Sequence, residues 1–188
     1  MGCRAARRGG PGSPVAVLAR ALAALETEPD EQLGSLLVGL GTSTFWDFLP
    51  PEERSRRAPA VEAAFDAGVA AAERASLKAT WFGGWRSVAL SEAAVGRMRA
   101  LWAGDDSVPG LPLSESDRTE LAEALAVRGV EGAEEILATQ ARRIDNPDRR
   151  ERFDFLRPAL SEDPATRAAF FGTLADPAQR EREPWVLA

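Results

Sequence analysis

The sequence predicts an all-α fold, an irregular HEAT-like stack of antiparallel helix pairs of the α-solenoid kind, coiling as a right-handed superhelix. Three observations predict it. Apolar residues recur three and four positions apart along the chain, and strict strand-type alternation is hard to find anywhere. An N-cap residue followed by proline, the signature of a helix start, occurs at Ser13-Pro14, Asn146-Pro147, Asp163-Pro164 and Asp176-Pro177. At 188 residues, with 45% hydrophobic and 28% charged, the chain can bury a core of about one domain.

Taken in order, Ser13-Pro14 opens a first helix whose stripe is Val15, Leu18, Leu22 and Leu25. Pro29-Asp30 opens a second, with Leu33, Leu36, Leu37 and Leu40 on one face, running toward Phe45, Trp46 and Phe48 until Pro50-Pro51 stops it. The two read as a helical hairpin. A third segment carries Val61, Phe65 and Val69, a fourth Leu77, Trp81, Trp85 and Val88, and a fifth Val95, Met98, Leu101 and Trp102 up to Gly104. Residues 105–113, DDSVPGLPL, form an irregular connection between two halves, 15–104 and 114–188 of one domain, preceded by a disordered basic segment over 1–14. Ser114 with Asp117 makes an acidic capping box ahead of Leu121 and Leu125. Ile136, Leu137 and Ile144 follow, and then three proline-marked starts, with Phe153, Leu156, Leu160, Phe170, Phe171 and Leu174 filling the faces between short stacked helices. Glu183-Pro184-Trp185 begins one more helix that ends after a single turn, which reads as a truncation.

Composition excludes much chemistry. There is no histidine, so imidazole cannot act as base or metal ligand, and the single Cys3 permits neither a disulfide within the chain nor a thiolate zinc cage. A net charge of -6 argues against nucleic acid as the main partner. No stretch approaches the roughly 20 apolar residues of a membrane span, and the arginine-rich start has neither the apolar run of an export signal nor the pattern for myristoylation. A cytoplasmic protein is expected.

Candidate sites fare poorly on the residues themselves. Lys78 is the only lysine, and a Ser-Lys nucleophile would have to use Ser76, two residues away on another helix face. Gly39, Gly41 and Thr44 echo a phosphate-binding loop but lie in a helical apolar pattern with no lysine after them, and read as close helix packing. Trp46, Trp81, Trp85, Trp102 and Trp185 read as core rather than a stacking platform. Arg142-Arg143 and Arg149-Arg150 are interleaved with Asp145, Asp148, Glu151 and Asp154 and read as salt-bridged surface, with the remaining option that some arginines face a peptide carboxylate. No catalytic, cofactor-binding or metal-ligating residue is assigned.

Four stretches carry a resemblance: SLKATWFGGWRSVALS (76–91), VPGLPLSESDRTELAEALAVRGV (108–130), IDNPDRRERFDFLRPALSEDPATRAAFF (144–171) and REPWVLA (182–188). In this order they resemble the C-terminal helical region of bacterial members of the aminopeptidase N family, the zinc gluzincin aminopeptidases. ALETEPDEQLGSLL (24–37) and FWDFLPPEER (45–54) fit the same region more loosely. The family's zinc motif H-E-x-x-H, its downstream glutamate and its G-x-M-E-N segment are absent, so the resemblance transfers no catalytic residue. It implies a fragment of a longer peptide hydrolase, lacking the upstream part and a few downstream helices, which would close over the zinc-bearing N-terminal catalytic domains and wall in the peptide chamber. Zinc would belong to those domains, and peptides would be substrates of the whole enzyme. The alternatives are a free-standing HEAT-like adaptor that binds a peptide or protein, and an enzyme using carboxylates alone, with magnesium.

Overall fold

Between Ser13 and Arg182 the described chain is a succession of helices, with no β-strand among the described residues. The computed structural model describes residues 12–28, 30–182 and 185, so most of the basic start and the helix start at Glu183-Pro184 lie outside them. Its contacts divide the chain into two units, residues 1–96 with 109–111, and residues 97–108 with 112–188. The division falls inside the fifth helix, and the 105–113 connection contributes to both units.

In the first unit, α1 (Pro14–Thr27) starts where predicted, with the Ser13 hydroxyl accepting from the Ala16 amide at 3.3 Å. Its stripe buries Leu18, Ala21 and Leu25. The helix α2 (Glu31–Ser43) is capped by Asp30, whose carboxylate accepts from the amides of Gln32 at 2.8 Å and Leu33 at 3.0 Å. It continues into a π-helical turn, Thr44–Phe48. The proline pair then begins a helix as well as ending one. With Pro51 in the first turn and Glu52 and Glu53 beside it, α3 (Pro51–Ala71) runs well ahead of its predicted apolar positions. After it comes α4 (Ala75–Val88).

Two helices approach most closely where one offers a hydrogen in place of a side chain. A Cβ at Gly68 of α3 would sit 2.1 Å from the Trp81 ring of α4, and one at Gly84 of α4 would sit 2.3 Å from the Phe65 ring of α3. Each helix thus receives the other's aromatic ring over a glycine, and the two rings meet edge to face at 5.8 Å. Phe65 is fully buried and Trp81 nearly so.

The packing of α2 corrects the expectation for its apolar face. Its inward positions are Gly34, against Leu25 and Leu77, and Gly41, against Leu18 and Phe65. Of the predicted apolar face, Leu33 at 49%, Leu36 at 68% and Leu40 at 48% are exposed, and Leu37 is half-buried. The leucine spacing was read correctly but its direction was not. At these two glycines a Cβ would lie 3.6–3.9 Å from the neighbouring side chains, an ordinary contact distance.

Buried polar groups finish the first unit by satisfying helix ends. Glu62 of α3 accepts from the amides of Leu90 at 2.7 Å and Ser91 at 2.8 Å and from the Ser91 hydroxyl, just ahead of α5 (Glu92–Ala103). Lys78 of α4 donates at 2.8 Å to the carbonyl of Val69, one of the last carbonyls of α3.

In the second unit, α6 (Glu115–Val127) has the predicted capping box, Ser114 and Asp117 bonding reciprocally. Gly129 at φ 63° and Gly132 at φ 77° make the reversal into α7 (Ala133–Arg143), a conformation that side chains with a Cβ resist. The core here gathers Ala126, Ala133, Leu137, Ile144 and Phe153, with Val130, Ala141 and Leu160 against it. Gln140 of α7 is fully buried and partnered: the Trp102 indole N–H donates to it at 2.9 Å, and its amide donates to the Thr119 hydroxyl at 2.9 Å. Then come α8 (Pro147–Leu156), a 3-10 turn (Arg157–Leu160), α9 (Pro164–Thr173) and a 3-10 helix (Pro177–Arg182). Phe153 and Phe170 are buried as expected, but Phe171 is 67% exposed, because α9 has one covered side and Phe170 occupies it.

The glycine contacts separate two adjacent residues of α4. A Cβ at Gly83 meets nothing within 4 Å, while one at Gly84 meets Phe65. Gly83→Ala should stabilise the chain by about 0.5–1 kcal/mol through helix propensity. Gly84→Ala should cost about 1–3 kcal/mol, because the ring it strikes has nowhere to go. Urea unfolding of the two variants checks this, and equal effects would contradict the packing described.

Candidate functional site

The second unit carries an open cleft of about 480 Å³ lined by Asp145, Pro147, Arg150, Glu151, Asp154, Phe155 and Arg182. Five of these lie on α8 at positions 147, 150, 151, 154 and 155, the three-and-four spacing that gathers side chains on one face of a helix. The helix is fixed at its N-terminal end. Asn146 caps it, accepting from the Arg149 amide at 3.0 Å, and Pro147 sets its first turn. Phe153, on the opposite side, is buried in the core and so determines which face is left for the cleft.

The aromatic wall is built around Phe155. Its ring stands edge to face with Phe170 of α9 at 5.4 Å and with Trp185 at 5.7 Å. The Arg182 guanidinium lies over Phe155 at 5.2 Å and over Trp185 at 5.7 Å, and approaches the Glu151 carboxylate at 3.3 Å. Arg150 turns back to the carbonyl of Ile144, donating from Nε at 2.9 Å and from a terminal nitrogen as well. A smaller cleft of about 290 Å³, lined by Glu134, Asp154, Arg157, Pro158, Ser161 and Thr166, shares Asp154 with the first. The main cleft therefore presents carboxylates, guanidinium groups and an aromatic face together. That mixture can hold a polar chain bearing charges of both signs, through hydrogen bonds and ring contact.

The helix α9 that backs the wall has its own electrostatic anchor. Asp163 accepts from the Thr166 hydroxyl at 2.7 Å and from the amides of Ala165 at 3.0 Å and Thr166 at 3.1 Å. Hydrogen bonding to the Thr166 hydroxyl first, then to the two amides, holds its carboxyl below the ordinary aspartate value. On α3, Glu53 is likewise held low by its bonds to Arg56 and Arg57.

The other positions singled out in the sequence are accounted for structurally. Ser76 is exposed and donates to Glu31 at 2.6 Å, whereas Lys78 is buried against the Val69 carbonyl, so the two are not brought together. Gly41 packs closely, as read, and Thr44 is buried, but Gly39 faces open space. Trp81 and Trp85 are core residues, and Trp46 is half-buried with its N–H on the Ser87 carbonyl at 3.0 Å.

The arginine pairs depart from a uniformly ion-paired surface. Arg149 approaches Glu115 at 3.4 Å and donates to Ser116 at 2.8 Å, but Arg142 donates to the Thr139 hydroxyl. Arg143 stacks on Trp102 at 4.8 Å. Among the described residues, no group of three acidic or cysteine side chains is placed to hold a metal ion.

The cleft as a whole is missed in the sequence, where the run 147–155 reads as a salt-bridged surface. Comparison of the chain with protein families, curated proteins and solved structures finds no match in any of the three.

Asp163 gives a pH test of the anchor on α9. A carboxyl held low when folded adds stability in full above the unfolded value of 3.8 and loses it as pH falls through the lower folded value. A carbon-detected NMR titration should therefore place the Asp163 midpoint below 3.8. Thr166→Val, which removes the largest contribution, should move the midpoint up toward that value, and an unmoved midpoint would contradict the assignment.

Proposed function

We propose that this chain is the non-catalytic helical domain of a zinc aminopeptidase of the gluzincin type, walling the chamber in which peptides lose their N-terminal residues. The observation that carries the reading is the coincidence of the resemblance with the cleft. The stretch 144–171 resembles that family's helical region, and it supplies six of the seven residues lining the cleft, all but Arg182. Arg182 opens the fourth resembling stretch. An open surface that alternates carboxylate, guanidinium and ring suits the side of a peptide chamber, where chains of varied sequence must be confined without being gripped. The all-helical architecture agrees with such a role, and the absence of histidine leaves the zinc chemistry to another part of the enzyme.

The exposed leucine face of α2 supports a second reading, a free-standing helical adaptor. The two readings separate in one set of measurements. The pure chain supplied with zinc should not hydrolyse an aminoacyl anilide. Added to the catalytic part of a bacterial gluzincin aminopeptidase prepared without its helical region, it should bind and slow cleavage of long peptides relative to the anilide. Hydrolysis by the pure chain would overturn the proposal, and failure to associate with the catalytic part would favour the adaptor.

A further inference from the structure

The charges that line the cleft on α8 are not used alike. Three carboxylates, Asp145, Glu151 and Asp154, share it with two guanidinium groups, Arg150 and Arg182. Both guanidinium groups are engaged within the chain: Arg150 donates to the Ile144 carbonyl, and Arg182 lies over Phe155 and Trp185 and pairs with Glu151 at 3.3 Å. Asp145 and Asp154 are exposed, and among the described residues neither carboxylate has a hydrogen-bond or ion-pair partner. The charge the cleft still offers a ligand is therefore negative. The smaller cleft, which shares Asp154, adds Glu134 and Arg157, one charge of each sign, and leaves that balance as it is.

Position adds a second constraint. Asp145 stands just ahead of α8 and Asp154 lies in its last turn, so the rise of the helix alone separates them by roughly 10 Å. One small cation cannot bridge that distance. A peptide in the polyproline II conformation advances about 9 Å in three residues and returns to the same side of its axis. The aromatic wall beside Asp154 is suited to a guanidinium, since that of Arg182 already lies on it. We propose that the cleft takes a peptide with two basic side chains three residues apart, one cation against Asp145 and the other against Asp154, beside Phe155. The proposal deepens the reading of the cleft as a chamber wall, from which it takes the peptide nature of the ligand. Both carboxylates are exposed, so binding is weak and salt-sensitive, a bias among passing chains and not a grip.

Titration of the full chain at low salt with N-acetylated, C-amidated tetrapeptides, followed by amide chemical shifts, tests it. Arg-Ala-Ala-Arg should shift the amides around Asp154 and Phe155 saturably and bind about three- to fivefold tighter than Ala-Ala-Ala-Arg, while Glu-Ala-Ala-Glu should not bind. Asp145→Asn and Asp154→Asn, both at exposed positions, should each bring Arg-Ala-Ala-Arg down to the level of the single-charge peptide. Asp148→Asn, exposed on the same helix but outside the cleft lining, should leave the affinity unchanged. No binding of Arg-Ala-Ala-Arg, equal affinity for the two basic peptides, equal loss in Asp148→Asn, or binding of the acidic peptide overturns the inference. A chain that binds Arg-Ala-Ala-Arg as expected but fails to associate with the catalytic part of an aminopeptidase keeps this site and loses the aminopeptidase reading.

Discussion

The first unit depends on one reciprocal contact, in which α3 and α4 each receive the other's aromatic ring over a glycine. Phe65 over Gly84 and Trp81 over Gly68 set the separation of the two helices at the depth of a ring on a bare backbone. Everything packed against this pair inherits that spacing. Gly41 of α2 faces the same Phe65, Lys78 of α4 bonds a carbonyl of α3, and Glu62 of α3 bonds the amides of Leu90 and Ser91. Packing of this kind gains dispersion contacts and gives up tolerance, since a single methyl group has no place to go.

That economy explains which parts of the fold could be read from the sequence. Helix starts were legible because caps act locally: Ser13, Ser114, Asn146 and Asp163 bond amides two or three residues away, and no knowledge of the tertiary structure is needed to see it. The inward direction of a helix was legible where leucines and aromatics form the contact, as in α1 and α4. It was illegible in α2, where the contact is made by residues that have no side chain. A hydropathy pattern weighs leucine above glycine, and the fold here weighs proximity above both. Pro51 misled in a milder way, because one proline ends the preceding segment and sets the first turn of the next.

The cleft on α8 was hidden for another reason. Interleaved acids and arginines normally describe a solvated face, and in sequence the run from Pro147 to Phe155 looks like one. What sets it apart is the arrival of Phe170, Arg182 and Trp185 from segments well downstream, which turns a helix face into the wall of a cavity. Long-range convergence of this sort has no local signature.

The place of Lys78 has a practical consequence. It is the sole lysine of the chain, and it is buried with its ammonium group donating one hydrogen bond to a backbone carbonyl. All other side-chain positive charge is carried by arginine, which acyl-transfer reagents and lysine-directed modifying enzymes do not use. The folded protein therefore offers no accessible ε-amine, and acylation of that nitrogen becomes a chemical record of the moments when α3 and α4 come apart.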